Sequence, residues 1–171
     1  MPISKKILDY LKAKKYKFEI IEHKTTYTAC DTARTTQRQE KKVKPEEIVK
    51  ALVVKTDKDC ALALVPATKR LDKKKLLKAI NAGRKKAGEK PGKSLDLAKE
   101  AWMKKNIPGK VGATPPFREL VKLNIYIDSV LVKQKNLYVG SGEYEYSLKV
   151  PAKEYLKKEE LVKGNFSSRN T

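Results

Sequence analysis

Three short features of this sequence have residue types that suit chemistry on a bound ligand. Lys50 begins an otherwise apolar run, where a buried charge is costly unless it has a partner or a function. Residues 112–116 read Gly-Ala-Thr-Pro-Pro, a rigid loop whose backbone can approach a ligand closely. The Gly-Ser-Gly turn at 140–142 has the same capacity. Each feature also has a structural explanation, since lysines snorkel and Gly/Pro turns are common. For each feature taken alone, the structural explanation is favoured over the functional one.

Residues that build metal centres or nucleophilic triads are scarce. Cys30, Cys60 and His23 are too few for a four-ligand zinc site. One histidine counts against a Ser-His triad without excluding it, and nothing in the sequence pairs Cys30 with a base. We therefore expect no metal and no cofactor. His23 is interpreted first as a strand-end residue, and Thr28 first as a helix cap and second as a pocket hydroxyl.

The charge of the chain points to a polyanionic partner. Its 171 residues carry 40 Lys and Arg against 20 Asp and Glu, a formal net charge of +20. Such a balance favours nucleic acid, because Lys and Arg contacts to phosphate release counterions. Only six of the basic residues are arginine, so phosphate contact at many points is favoured over base readout. The alternative is a solvated surface with no specific partner.

The composition excludes several classes of protein. The mean hydropathy is −0.62, and no apolar run approaches the ~20 residues that a transmembrane helix needs. The N-terminal residues lack the apolar stretch of a signal peptide. We expect a cytoplasmic protein that does not insert into a membrane.

Apolar periodicity predicts the elements that position these residues. Strands are expected at 16–20, 49–54, 60–65, 95–97, 123–128, 137–139 and 144–150. Helices are expected at 3–11, from Thr28 with Asp31 as a capping box, briefly after Pro45, after Asp72, at 98–106 and at 152–161. Residues 81–93 are predicted to be a mobile loop, 107–117 irregular and 162–171 a polar tail. Because helices and strands intermix without strict alternation, we expect an α/β (mixed α+β) single domain with a mixed, mostly antiparallel central sheet and flanking helices.

Taken in order, several segments resemble the YbaK / prolyl-tRNA synthetase-associated domain family of aminoacyl-tRNA editing deacylases. The resemblance runs from about Tyr16 to Leu156 and depends on the order and spacing of its pieces. These are EIIEH at 19–23, YT at 27–28, IVKALVV at 48–54, ALALVP at 61–66, RLD at 70–72 with Leu76, GATPP at 112–116, IYID at 125–128 and GSG at 140–142.

The resemblance implies roles for individual residues. The lysine matching Lys50 is the main functional side chain, and the loop from Gly112 presents backbone groups to the ester and its attacking water, so both are assigned as catalytic. The substrate-binding candidates are His23, Thr28, Ala51, Ala113, Thr114, Pro115, Pro116, Gly140, Ser141 and Gly142. Independently of the resemblance, the basic stretch from Arg84 to Lys93 supplies the tRNA-binding candidates Lys85, Lys86 and Lys90.

The sequence departs from the family pattern at two places. Ala51 follows the key lysine where members commonly have threonine, which leaves the preferred amino acid open. The turn at 140–142 is followed by Glu-Tyr-Glu rather than a basic or histidine-bearing stretch.

The resemblance implies a trans-acting deacylase in residues 1–161 that clears mischarged tRNA, with alanine or cysteine on tRNA for proline as first candidates. Prolyl-tRNA synthetase or a synthetase complex is a further candidate partner. The alternative is a noncatalytic tRNA-binding adaptor of a synthetase. A domain cut from a longer synthetase also stays open.

Overall fold

The structure is a computed structural model that describes residues 3–23 and 43–169. The described residues form ten strands and six α-helices. The strands are β1 (Glu19–Glu22), β2 (Val49–Thr56), β3 (Cys60–Pro66), β4 (Lys69–Leu71), β5 (Leu95–Leu97), β6 (Asn124–Asp128), β7 (Asn136–Gly140), β8 (Tyr146–Pro151), β9 (Leu161–Gly164) and β10 (Ser167–Arg169). The helices are α1 (Lys5–Ala13), α2 (Lys73–Lys86), α3 (Glu100–Asn106), α4 (Arg118–Val121), α5 (Ser129–Val132) and α6 (Ala152–Lys158), and a 3-10 turn spans Pro45–Glu47.

The strands form three sheets. The largest has the order β5-β2-β3-β6-β9, a second has the order β1-β8-β7, and β4 pairs with β10. Within the described sheets, β3–β6 and β6–β9 are parallel and the other pairings are antiparallel. A bridge between Ile48 and Tyr138 joins the two larger sheets. The expected mixed α/β fold with a mixed central sheet is confirmed.

Strand alternation divides the core between the two faces of the large sheet. On β2, Val49 and Val53 face the main cluster, whereas Val54 faces a second cluster with Leu76 and Ile80 of α2. Successive side chains of a strand point to opposite faces, so Lys50 shares the face of Val54. The strand therefore places this lysine outside the main core.

The predicted loop at 81–93 is wrong in its first half, because α2 continues to Lys86. Straight-chain basic residues have good helix propensity, and Arg84 forms an ion pair with Asp59 across the end of the helix. The rest of the segment is held to α2 by hydrogen bonds. Asn81 exchanges two hydrogen bonds with the backbone of Gly92, at 2.8 and 3.0 Å.

The predicted polar tail at 162–171 is also wrong over its described part. β9 pairs with β6 and β10 pairs with β4. Between them, Phe166 is 2% exposed and its N–H donates to Asp128 Oδ1 at 2.7 Å. Apolar periodicity does not predict these strands, because Phe166 is the one buried apolar residue in the described part of this segment.

No helix among residues 3–23 and 43–169 combines the length and the apolar character needed to cross a membrane.

Candidate active site at the edge of β2

A cavity of about 160 Å³ lies where the first half of β2 meets the loop 107–117 and the turn between β7 and β8. Seven of the predicted functional residues line this cavity: His23, Lys50, Ala51, Gly112, Ala113, Thr114 and Gly140. They come from four separate parts of the chain. The fold therefore unites the features that the sequence shows only in succession.

Lys50 enters the cavity from β2. Its Nζ donates a hydrogen bond to the carbonyl oxygen of Lys69 at 2.6 Å, and the residue is half-buried. This hydrogen bond anchors the ammonium at the edge of the cavity. The position beside the start of β4 explains how a lysine is tolerated in an apolar strand.

Ala51 contributes its backbone to the same edge. Thr56 N donates to Asp59 O and Ala67 N donates to Ile48 O, so the even-numbered residues of β2 bond to β3 in the antiparallel ladder. The N–H and C=O of Ala51 therefore point away from β3. β5 pairs only with Val54–Thr56 on that side. A backbone contact at this edge does not depend on the side chain that follows Lys50.

The loop 107–117 brings peptide groups to the cavity. Gly112 has φ +89°, a conformation that favours glycine. Ala113 N donates to Lys110 O at 2.9 Å, whereas the structure shows no backbone acceptor among the described residues for the N–H groups of Gly112 and Thr114. These two amides are the loop's candidates for contacting a developing negative charge.

Pro115 and Pro116 do not line the cavity, contrary to the sequence prediction. Both are buried behind the loop, and the hydroxyl of Tyr155 donates to the carbonyl of Pro116. The two prolines stiffen the loop to which they belong, because a proline ring restricts φ.

The glycine turn after β7 contacts this loop through its backbone. A Cβ on Gly140 would lie 2.4 Å from the carbonyl oxygen of Thr114, and Gly142 N donates to Ala113 O at 2.7 Å. Ser141 and Gly142 lie outside the cavity lining. Ser141 is fully buried and its hydroxyl donates to the carbonyl of Tyr146 at 2.6 Å, which closes the turn.

His23 lies at the floor of the cavity, immediately after β1. Its N–H donates to Glu145 O at 2.9 Å, and its Nε2 lies 2.8 Å from Ser147 Oγ. Both side chains are buried. The tautomer decides which of the two donates. His23 is therefore a strand-end residue that also lines the cavity, and its contact with a substrate stays a prediction.

Sequence reasoning missed several residues of the cavity, including Ser147 and Glu143. Glu143 forms an ion pair with Lys110 at 2.7 Å, which raises the pKa of the lysine through their hydrogen bond. The hydroxyl of Tyr144 donates to Val111 O at 2.7 Å. The only signal for Ser147 was a small polar residue inside an apolar strand.

The other predicted site residues are not among the described residues that line the cavity. Thr28 is outside the described residues. Lys85 and Lys86 are exposed at the C-terminal end of α2, and Lys90 is exposed in the segment that follows. The Arg84–Asp59 ion pair places this end of α2 beside the β2–β3 hairpin, whereas Lys50 is at the opposite end of β2. These lysines are not part of the cavity.

Comparison with known proteins agrees with this architecture. The chain has TM-scores of 0.74 both to the crystal structure of a hypothetical protein, APE2540, and to that of a proposed trans-editing enzyme for prolyl-tRNA synthetase. Identity to APE2540 is 21%, over 96% of this chain and 100% of that one. Identity to the second protein is 20%, over 98% of each chain.

No curated protein matches the sequence significantly. The family model for the aminoacyl-tRNA editing domain matches residues 23–158. That span contains every residue that lines the cavity. The chain therefore belongs to the family of aminoacyl-tRNA editing domains, the YbaK family.

Proposed function

We propose that the protein hydrolyses the ester bond of mischarged aminoacyl-tRNA and acts in trans. The observation that carries this proposal is the convergence of Lys50, the amides of the Gly112 loop and the Gly140 turn on one small cavity. The family match supports an editing activity.

The chemistry suits a site of this kind. An aminoacyl ester is already activated by its α-ammonium and by the neighbouring ribose hydroxyl. A site that positions water and offers donors to the developing oxyanion can therefore hydrolyse it. Water adds to the carbonyl carbon, the ester C–O bond breaks, and the ribose oxygen receives a proton. Lys50 would hold the tRNA terminus, while Gly112 and Thr114 N–H would face the oxyanion.

Alanine or cysteine on tRNA for proline is the proposed substrate. A cavity of about 160 Å³ favours a small aminoacyl group. Editing is needed for such substrates because one methylene supplies only ~1–3 kcal/mol of discrimination. A structural neighbour carries a proposed link to prolyl-tRNA synthetase, which makes that synthetase the first partner to examine.

The test is a deacylation time course on Ala-tRNA and Cys-tRNA for proline, comparing the wild type with Lys50→Ala. We expect one ester to be lost faster than in buffer, and the variant to lose this activity while retaining most of its tRNA affinity. Ser-tRNA and Thr-tRNA extend the set. Lys85→Ala is the matched control, since it removes the same charge far from the cavity.

One observation favours a second candidate function, a noncatalytic tRNA-binding adaptor. The exposed lysines at the end of α2 lie away from the cavity, and a binding role needs no cavity. An adaptor would hydrolyse no ester in this series, and removal of Lys85 and Lys86 would weaken its tRNA binding more than removal of Lys50.

A further inference from the structure

The cavity contains an acidic side chain that the proposed hydrolysis does not use. Glu143 lines the cavity, and its side chain is 26% exposed. Among the described residues of the lining it is the only carboxylate. Its Oε2 accepts from Lys110 Nζ, which comes from the neighbouring loop and is half exposed. The turn after β7 thus holds an ion-paired carboxylate beside the cavity.

We propose that Glu143 binds the α-ammonium of the aminoacyl group, an inference that rests on the proposed deacylase function. A carboxylate accepts several hydrogen bonds, so the bond from Lys110 leaves Oε1 able to accept another. An ammonium bound there forms a charge-assisted hydrogen bond, which is stronger than a neutral one.

The charges of the cavity lining match the charges of such a substrate. Lys50 enters from β2 and Glu143 from the turn after β7, so one cation and one anion come from different elements. Lys50 suits the anionic tRNA terminus but repels an ammonium. A carboxylate offsets that repulsion. The site therefore selects esters with an unblocked α-amine and discriminates against N-acylated esters, the chemical class that includes peptidyl-tRNA.

The experiment measures kcat/KM for alanyl-tRNA and N-acetyl-alanyl-tRNA with the wild type and Glu143→Gln. We expect the variant to lose about ten- to hundredfold on the free-amine ester, the size of a charge-assisted hydrogen bond, and to change little on the acetylated ester. Glu143→Asp keeps the charge and should restore part of the preference. Glu145→Gln is the control. Glu145 is close to Glu143 in the sequence but does not line the cavity, so this variant should keep the preference for the free amine.

A binding measurement separates this inference from the proposed function. The probes are the alanyl amide of 3′-amino-3′-deoxyadenosine and its N-acetyl derivative, neither of which presents the labile ester. Tighter binding of the free-amine probe that is lost in Glu143→Gln supports the inference even if no ester is hydrolysed. Equal binding of both probes overturns it, as does an equal loss of activity on both esters in the variant.

Discussion

Gly140 shows how a missing Cβ shapes the cavity. Its α-carbon packs against the peptide that joins Ala113 and Thr114, so that a Cβ would lie within 2.4 to 2.8 Å of three backbone atoms. Backbone atoms cannot rotate away as the end of a side chain can. The glycine is therefore required by close approach between two loops.

Replacing Gly140 with alanine should push the loop 112–116 away from β7. We expect a decrease of about 1–3 kcal/mol in the free energy of unfolding, the usual cost of overpacking, and a larger proportional loss of deacylation. Urea denaturation and the time course measure the two effects.

The matched control is Gly83→Ala. A Cβ at Gly83 meets nothing within 4 Å, and the residue lies inside α2, where alanine is preferred over glycine by roughly 0.5–1 kcal/mol. This variant should be as stable as the wild type or more so. Equal destabilisation by both substitutions would contradict the argument from close approach.

At the scale of single residues, the sequence identifies residues whose type is unusual in its local context. Lys50 is a charge in an apolar strand, and Gly112 and Gly140 lie in turns, so all three could be predicted. Ser147 and Glu143 could not, because their place in the cavity depends on the pairing of β8 with β1 and β7. Their types alone carry no such signal.

At the scale of secondary-structure elements, one buried carboxylate joins α1 to the end of α6. Glu159 follows α6 and accepts hydrogen bonds from the hydroxyls of Tyr10 and Tyr16, at 2.9 and 2.6 Å. It also accepts from Arg118 N at 2.9 Å. Because α4 follows the loop 107–117, this cluster holds the base of the loop that lines the cavity.

The cluster makes stability sensitive to alkaline pH. Burial, together with the charge and hydrogen bond of Glu159, raises the pKa of Tyr10 and of Tyr16. A raised pKa in the folded state means that the stabilisation is complete below pH ~10 and is lost as the pH rises above it. We expect the free energy of unfolding to fall with pH above ~10, measured by urea titration.

Tyr16→Phe is the comparison for this prediction. It removes one titrating phenol and one hydrogen bond to Glu159, so the variant should be less stable at neutral pH and should fall less steeply above pH ~10. A slope equal to that of the wild type would mean that Tyr16 does not contribute to the pH dependence.

The C-terminal strands are a second case in which an element depends on long-range contacts. Phe166 packs against Tyr126 with a ring-centroid distance of 6.1 Å, and its carbonyl accepts from Asp72 N at 2.7 Å. The sequence of residues 162–171 is mostly polar and shows no strand periodicity. Its strands are stabilised by pairing with β4 and β6, which are distant in the sequence.

Phe166→Ala should therefore destabilise the protein by about 3 kcal/mol, within the range for removing a buried aromatic ring. Val162→Ala is the control, since Val162 is 45% exposed and its removal should change stability by about 0.5 kcal/mol or less. Comparable effects of the two substitutions would mean that the segment does not pack as described. Urea denaturation distinguishes these results.

At the scale of the whole molecule, the basic C-terminal end of α2 and the cavity lie toward opposite ends of β2. α2 is 14 residues long, about 20 Å at 1.5 Å per residue, and its C-terminal end lies beside the β2–β3 hairpin, away from the start of β2. Among the described residues, the cavity lining includes one Lys or Arg, whereas the whole chain has 40. Most of the affinity for tRNA should therefore come from outside the cavity.

The triple variant Lys85→Ala, Lys86→Ala and Lys90→Ala tests this separation. Each phosphate contact on a duplex contributes about 0.9 to the slope of log K against log salt, and about 0.7 on a single strand. If all three lysines contact phosphate, the slope should fall by about 2 to 3, while single-turnover hydrolysis of bound ester stays unchanged. Lys50→Ala should show the reverse: its slope should fall by no more than about 0.7, the share of one contact to a single-stranded terminus, while hydrolysis is lost. An unchanged slope in the triple variant would remove the end of α2 from the tRNA-binding surface, since counterion release does not depend on which sequence is bound.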